Sequence, residues 1–160
     1  MSSARTWTGA AVPSGVTVEL LDEGLAAIAG LRFAAAAVGV RNSAHRDPAA
    51  PDLALLDVGT PVPSAIVTTT NRVLAAPCRV GVEHVAAGPT RAVVVNSGNA
   101  NACTGAPGLA DARRVAAATA EALGCAPEAV VPMSTGVIGV PLPVGRITDA
   151  APQLAAALDG

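Results

Sequence analysis

This chain of 160 residues has no lysine and no tyrosine, and only one phenylalanine and one tryptophan. The missing lysine excludes a Schiff-base amine and a Walker-type phosphate lysine, since both need a primary ammonium on a flexible stem. All ten basic residues are arginine, and against twelve acids they leave a formal charge of −2. That balance, with scarcely an aromatic to stack on a base, gives nucleic acid little to bind. The three cysteines, Cys78, Cys103 and Cys125, are odd in number and lack C-x-x-C spacing. They argue against a disulfide framework or a structural zinc site. No metal or cofactor is expected, and a reducing cytoplasm is the expected setting. Long apolar runs are missing too. Pro and Gly break them short of a membrane span, and no basic flank precedes an apolar core at the N-terminus.

What is present is apolar but small. Hydrophobic residues make up 51% of the chain, much of it alanine, so disorder throughout is excluded. Each alanine buries little area, and the core must come from Val, Leu, Ile and Ala. A chain so short of large anchors is expected to complete its core against another polypeptide.

Strands and helices alternate loosely, which predicts an α/β or α+β class. Residues 1–29 are Gly- and Ala-rich and read as an N-terminal extension, with a short helix over 18–29. Residues 30–160 read as one domain. "GLRFAAAAVGV" enters it as extended chain, and "RNSAHRDPAAP" (41–51) is a solvated loop. Residues 52–58 and 64–70 pattern as a hairpin, and "APCRVGV" as a further short strand. "RAVVVN" is the clearest strand, apolar on both faces and so expected to be buried on both. "GLADARRVAAATAEALG" is the clearest helix: Leu109, Ala112, Ala116, Thr119 and Leu123 fall at helical spacing, and Gly124 stands where a terminating glycine belongs. "AVVPM" reads as a strand and "STGVIGVPLP" as the loop after it. A last helix is predicted over 149–158, capped by Thr148.

Two loops are candidates for chemistry. In "NSGNANACTG" (96–105), small residues between strand and helix fit an anion-binding turn, or a loop whose Asn side chains pin its own backbone. In "STG", Ser134 to Gly136, a hydroxyl beside a glycine amide can present two donors to a developing oxyanion, although the same tripeptide also makes plain turns. Cys103 has no His near it in sequence and reads as a small buried hydrophobe. His45 and His84 read as solvated, and "TTTNR" (68–72) as an edge strand and turn.

Taken in order, "TTNRVLAAPC", "RAVVVNSGNANACTG", the "GLADA…ALG" helix and "STGVIGVPLP" resemble the ornithine acetyltransferase family of arginine biosynthesis. The resemblance runs from about residue 30 to about residue 158 and corresponds to the front part of the family's α chain. It implies a layered sandwich with two sheets between helices, in a precursor that cleaves itself. A threonine freed at the start of the β chain would attack N-acetylornithine, with its own amine as base, and the acetyl group would pass to glutamate. Acetyl-CoA is a further donor to consider. In the motif matching "STGVIG", the resemblance makes Thr135 the side-chain oxyanion donor and Gly136 the backbone donor. It also implies a partner β chain and an α2β2 heterotetramer.

Departures from the family pattern are plain. The Thr-Thr-Asp substrate motif, the substrate-contacting lysine and the cleavage-site threonine have no counterpart among these residues. Residues 41–51 read as an insertion, 1–29 have no clear match, and the aromatic expected near Thr68 is replaced. Two alternatives follow: an Ntn-type amidase or acyltransferase acting on another amine in secondary metabolism, or a non-catalytic assembly subunit.

Overall fold

The computed structural model describes residues 11–18, 24–41, 47 and 49–159. The chain forms β1 (Arg32–Ala36), β2 (Leu53–Val62), α1 (Ala76–Ala87), β3 (Thr90–Asn99), α2 (Gly105–Leu123), β4 (Val130–Val137) and α3 (Val144–Ala156). Short 3-10 turns at Gly24–Ala27 and Pro127–Ala129 complete the order. The four strands make one sheet in the order β1-β2-β3-β4. The first two pairings are antiparallel and β3–β4 is parallel, with α2 as its crossover. The class is mixed α/β, as the residue pattern predicts.

Alternation along the strands sorts the sheet into two faces. Ala34, Leu53, Leu55, Ala92, Val94 and Val130 are buried beneath α2 and α3, where Val115, Ala116, Ala120, Ile147 and Leu154 meet them. Leu55 is fully buried, worth about 2–3 kcal/mol relative to leaving it in water. On the other face, Phe33, Val58 and Met133 are exposed while Leu56, Val93 and Val95 are half-buried. "RAVVVN" is therefore deeply buried on one face only, contrary to the two-faced expectation. Helices α2 and α3 lie on the core side, α1 stands along the β4 edge with Gly81 against Val131, and the opposite face lacks a full cover among the described residues.

The α2 helix forms as its periodicity predicts, and Gly124 ends it in the left-handed region (φ 67°, ψ 42°). Other local expectations gave way to distant partners. Residues 52–58 do not form a hairpin with 64–70: β2 continues to Val62 and takes β1 and β3 as neighbours. The 64–70 segment, with the start of "TTTNR", has no ladder, and residues 64–69 border a trough beside Val93 and Met133 instead. Pro61 and Pro63 explain part of this, since neither offers an N–H to a partner strand. "APCRVGV" is not a strand but the body of α1. Pro77 suits its first turn, and Val80, Gly81 and His84 share a buried side against β4. The last helix starts at Val144, five residues before the predicted 149, because Ile147, Ala151 and Leu154 form a buried stripe that begins that early. Thr148 is thus not a cap; its hydroxyl donates back to the Gly145 carbonyl at 3.2 Å. Of the helix expected over 18–29, only the turn at Gly24–Ala27 is seen, and 19–23 lie outside the described residues.

Candidate functional site

"STG" belongs to β4 and not to the loop after it. Because β3 and β4 are parallel, their C-terminal ends come out together, the position where open α/β sheets bind ligands. Ser97 is the register partner of Thr135 and Gly98 of Gly136, and at Gly98 the ladder bulges so that Asn99 also faces Thr135. Both glycines have positive φ, 105° at Gly98 and 136° at Gly136. Their lack of a side chain is required by contact as well. A Cβ on Gly136 would stand 2.3 Å from the Gly98 carbonyl carbon, and one on Gly98 would stand 2.5 Å from the Arg41 Cα.

The asparagines hold this geometry, which bears out the pinned-loop reading of "NSGNANACTG". Asn96 is buried; it donates to the Asn99 carbonyl (2.8 Å) and accepts from the Ser134 hydroxyl (2.6 Å). The Asn99 side chain donates to the carbonyls of Val140 and Pro141, both at 3.1 Å, and accepts the Asn101 amide at 2.8 Å. Asn101 has no exposed surface; it donates to Gly108 and accepts from Thr104, which ties the loop to the start of α2. Its carbonyl accepts the Ala76 amide, which ties in α1. Backbone bonds from Ala100 to Val137 and from Gly139 to Ala102 close the loop onto the chain after β4. Each side chain spans a gap that a longer residue would overfill and a shorter one leave unpaired.

Thr135 lies at the end of β4 as an exposed residue, in register with the half-buried Ser97 and on the face opposite α2 and α3. Its hydroxyl has no hydrogen-bond partner among the described residues. The hydroxyl of Ser134, by contrast, is committed to Asn96. An uncommitted O–H followed in sequence by a rigidly held glycine amide is the kind of donor pair an oxyanion requires. Beside it, along the same face, a trough of about 530 Å³ is bordered by Ile66, Thr68, Thr69, Val93, Met133 and Ser134.

The remaining candidates fall elsewhere. Cys103 is exposed with φ 57°, not a buried hydrophobe. His84 is buried and its Nδ1 meets the Val130 carbonyl at 2.8 Å, so it is a structural clamp on the sheet edge, not a solvated side chain. A strand residue offered to a helix is visible only in three dimensions. His45 lies outside the described residues. Among the described residues no cluster of His, Cys, Asp or Glu has the makings of a metal site, and no helix is long and apolar enough to cross a membrane.

Sequence reasoning missed two charged groupings. Asp52 accepts the amides of Val38 (2.7 Å) and Arg41 (2.8 Å), and so seats Arg41 against Gly98, where its guanidinium reaches the Ser97 hydroxyl. Asp57 is buried between Arg32 and Arg91. Burial alone would push its carboxyl up, but the Arg91 hydrogen bond, the Gly59 amide, Arg32 and the Arg91 charge together hold it below the usual carboxylate range. Burial pushes the nearby Cys125 thiol up, with Arg91 opposing and Asp57 adding. Asp57 sits in the run "LALLDV", where an acid amid apolar residues is the one available signal.

Known proteins resemble this chain over most of its length. The model of the ArgJ family matches residues 32–159. The arginine biosynthesis bifunctional protein ArgJ of Geobacter sulfurreducens is 46% identical over 131 residues, covering 82% of this chain and 32% of that protein. The protein of the same name from Thermus thermophilus is 46% identical over 126 residues, covering 78% and 32%. The chain thus spans about a third of the length of these curated relatives. Among solved structures, the Bacillus halodurans arginine biosynthesis bifunctional protein superposes with a TM-score of 0.71 at 39% identity, over 78% of this chain and 63% of that one. Ornithine acetyltransferase complexed with ornithine, from Mycobacterium tuberculosis, gives 0.75 at 35% identity, over 83% and 69%.

Proposed function

The chain belongs to the ArgJ family, and from that premise we propose that it forms the oxyanion-stabilising part of an acetyltransferase whose nucleophile comes from a β-type chain. The observation that carries this reading is the Gly98–Gly136 contact, which fixes the backbone at the Thr135–Gly136 pair while the Thr135 hydroxyl has no partner among the described residues.

In this reading, the N-terminal threonine of the β chain attacks the acetyl carbonyl of N-acetylornithine. Its hydroxyl proton passes to its own amine and then to the leaving ornithine nitrogen. Negative charge appears on the acetyl oxygen, where the Thr135 O–H and the Gly136 N–H donate to it. These donors need no reorganisation at that moment, because the strands already hold them. The amine of glutamate then attacks the acetyl-threonine ester through a second oxyanion at the same place; the C–O bond to threonine breaks, and the proton lost by glutamate returns through the threonine amine to its oxygen. Acetyl-CoA can enter as donor by the same route. Residues 30–160 act as one domain that is incomplete without the β chain, and the exposed sheet face is where the second sheet of the sandwich packs. The assembly is an α2β2 heterotetramer of the cytoplasm.

The test is to trap the acyl intermediate. The assembled enzyme is mixed with N-acetylornithine, without glutamate, quenched in acid and examined by peptide mass spectrometry. One acetyl group on the β chain's first threonine is expected, discharged when glutamate is added. Acetyl on Cys103 or on any other residue of this chain, or no transfer to glutamate, would refute the reading.

A further inference from the structure

Both the donor and the acceptor in such a reaction are amino acids, and each carries a carboxylate close to the reacting nitrogen. In an N-acylated amino acid only the amide nitrogen and Cα separate the acyl carbon from the carboxyl carbon. With the acyl oxygen on the Thr135–Gly136 donors, that carboxylate is tethered close by, within about one to two strand spacings of about 4.8 Å each. The strand one spacing away is β3, and Ser97 pairs with Thr135 there, with Asn99 facing it across the bulge. The Ser97 hydroxyl holds one arm of the Arg41 guanidinium.

Among the described residues, the charge of Arg41 is unspent. Both oxygens of Asp52, the nearest carboxylate to its backbone, are taken by the amides of Val38 and Arg41 itself. No ion pair to the Arg41 guanidinium forms among the described residues. The other arginines among the described residues are engaged or remote, Arg114 beside Asp111 among them. Arg32 and Arg91 are held by Asp57, and Arg113 by Glu83. Arg146 donates to the Gly39 carbonyl. Arg72 and Arg79 border a separate cavity at the start of α2. The mount of Arg41 is also rigid. Its amide is tied to Asp52 and its Cα leans on Gly98, at a distance that no residue with a Cβ at 98 would permit.

We infer that Arg41 is a specificity-determining residue that takes the α-carboxylate of the amino-acid substrate, with Ser97 as its positioning residue. This rests on the acetyltransferase reading given above. A planar fork with one arm anchored leaves its remaining N–H groups set for a carboxylate, which is a geometry a flexible ammonium does not supply.

The experiment compares N-acetylornithine with its neutral α-carboxamide as acetyl donors, using the assembled enzyme. The ratio of kcat/KM for acid over amide does not depend on how much of a variant is folded. In the wild type the acid is preferred. In Arg41→Gln that preference falls on the order of tenfold to a hundredfold, the value of a charge-assisted hydrogen bond, and Arg41→Lys recovers part of it. Ser97→Ala, which leaves the charge but frees the arm, lowers the preference less than Arg41→Gln does. An unchanged ratio in Arg41→Gln overturns the inference while leaving the acetyltransferase reading intact. Absence of transfer from either donor by the wild type overturns both.

Discussion

Gly136 and Gly98 meet across the parallel β3–β4 pair so closely that a Cβ on Gly136 would lie 2.3 Å from the Gly98 carbonyl carbon and 2.5 Å from the Asn99 nitrogen. Both obstacles are backbone, so neither can swing aside. Gly136→Ala is expected to destabilise the assembled protein by more than about 3 kcal/mol, combining strain at φ 136° with overpacking. Gly139→Ala is the control. Its φ is 80° but a Cβ there meets nothing within 4 Å, so only the left-handed penalty of about 1–2 kcal/mol applies. Urea denaturation of the two variants measures the difference, and equal losses would show that the contact is not what fixes the strand ends.

Thr135→Ala makes the opposite kind of change. The hydroxyl is without a partner among the described residues and Thr135 is exposed, so stability should hardly move. If Thr135 donates to the oxyanion, kcat falls by about a hundredfold to a thousandfold, about 3–4 kcal/mol, with KM little altered. Thr135→Ser keeps a hydroxyl and recovers part of the rate. Steady-state kinetics on folded variants decides, and a wild-type kcat in Thr135→Ala removes the assignment.

The Asn101 side chain is fully buried, with its donor on Gly108 and its acceptor taken by Thr104. Asn101→Ala strips both and leaves an alanine at φ 45°. The expected loss is about 3 kcal/mol, from two unpaired polar groups and the backbone penalty. Asn101→Gly relieves the backbone part, so it should be milder by about 1 kcal/mol. Thermal or urea unfolding gives both numbers, and a harsher Asn101→Gly would contradict the ordering.

Asp57 sets a pH dependence. Its folded carboxyl titrates below the usual value despite burial, because Arg91, Gly59 and Arg32 favour the charged form. The unfolded chain therefore binds the proton first, at about pH 3.9. Stability from this group is complete above that value and is lost as the pH falls through the lower folded value. Urea titrations at pH 6 and pH 3 should show a gap between wild type and Asp57→Asn that narrows at the lower pH. A gap that is constant, or that widens in acid, would show the sign to be wrong.

How much of this was legible in the sequence depends on the range over which each feature is decided. The β3 strand and the α2 helix could be read directly, since three successive valines and a periodic Ala/Leu stripe ending in Gly124 are local signals. The motifs around "NSGNANACTG" and "STGVIG" carried the family resemblance, and the comparisons bear it out. Tertiary structure decided what local preference leaves degenerate. Residues 76–82 hold valines that suit a strand, yet burying Val80 and His84 against β4 made them a helix. The 64–70 segment has the composition of a strand, but β2 and β3 found each other and left it without a ladder. Arg41 and Ser97 are 56 positions apart, and Gly98 and Gly136 are joined only by register. A sequence shows which residues can accept close approach. Which backbone then approaches is settled by strand pairing, where one register satisfies the hydrogen bonds of both chains and buries Leu55 and Val94 on the same side.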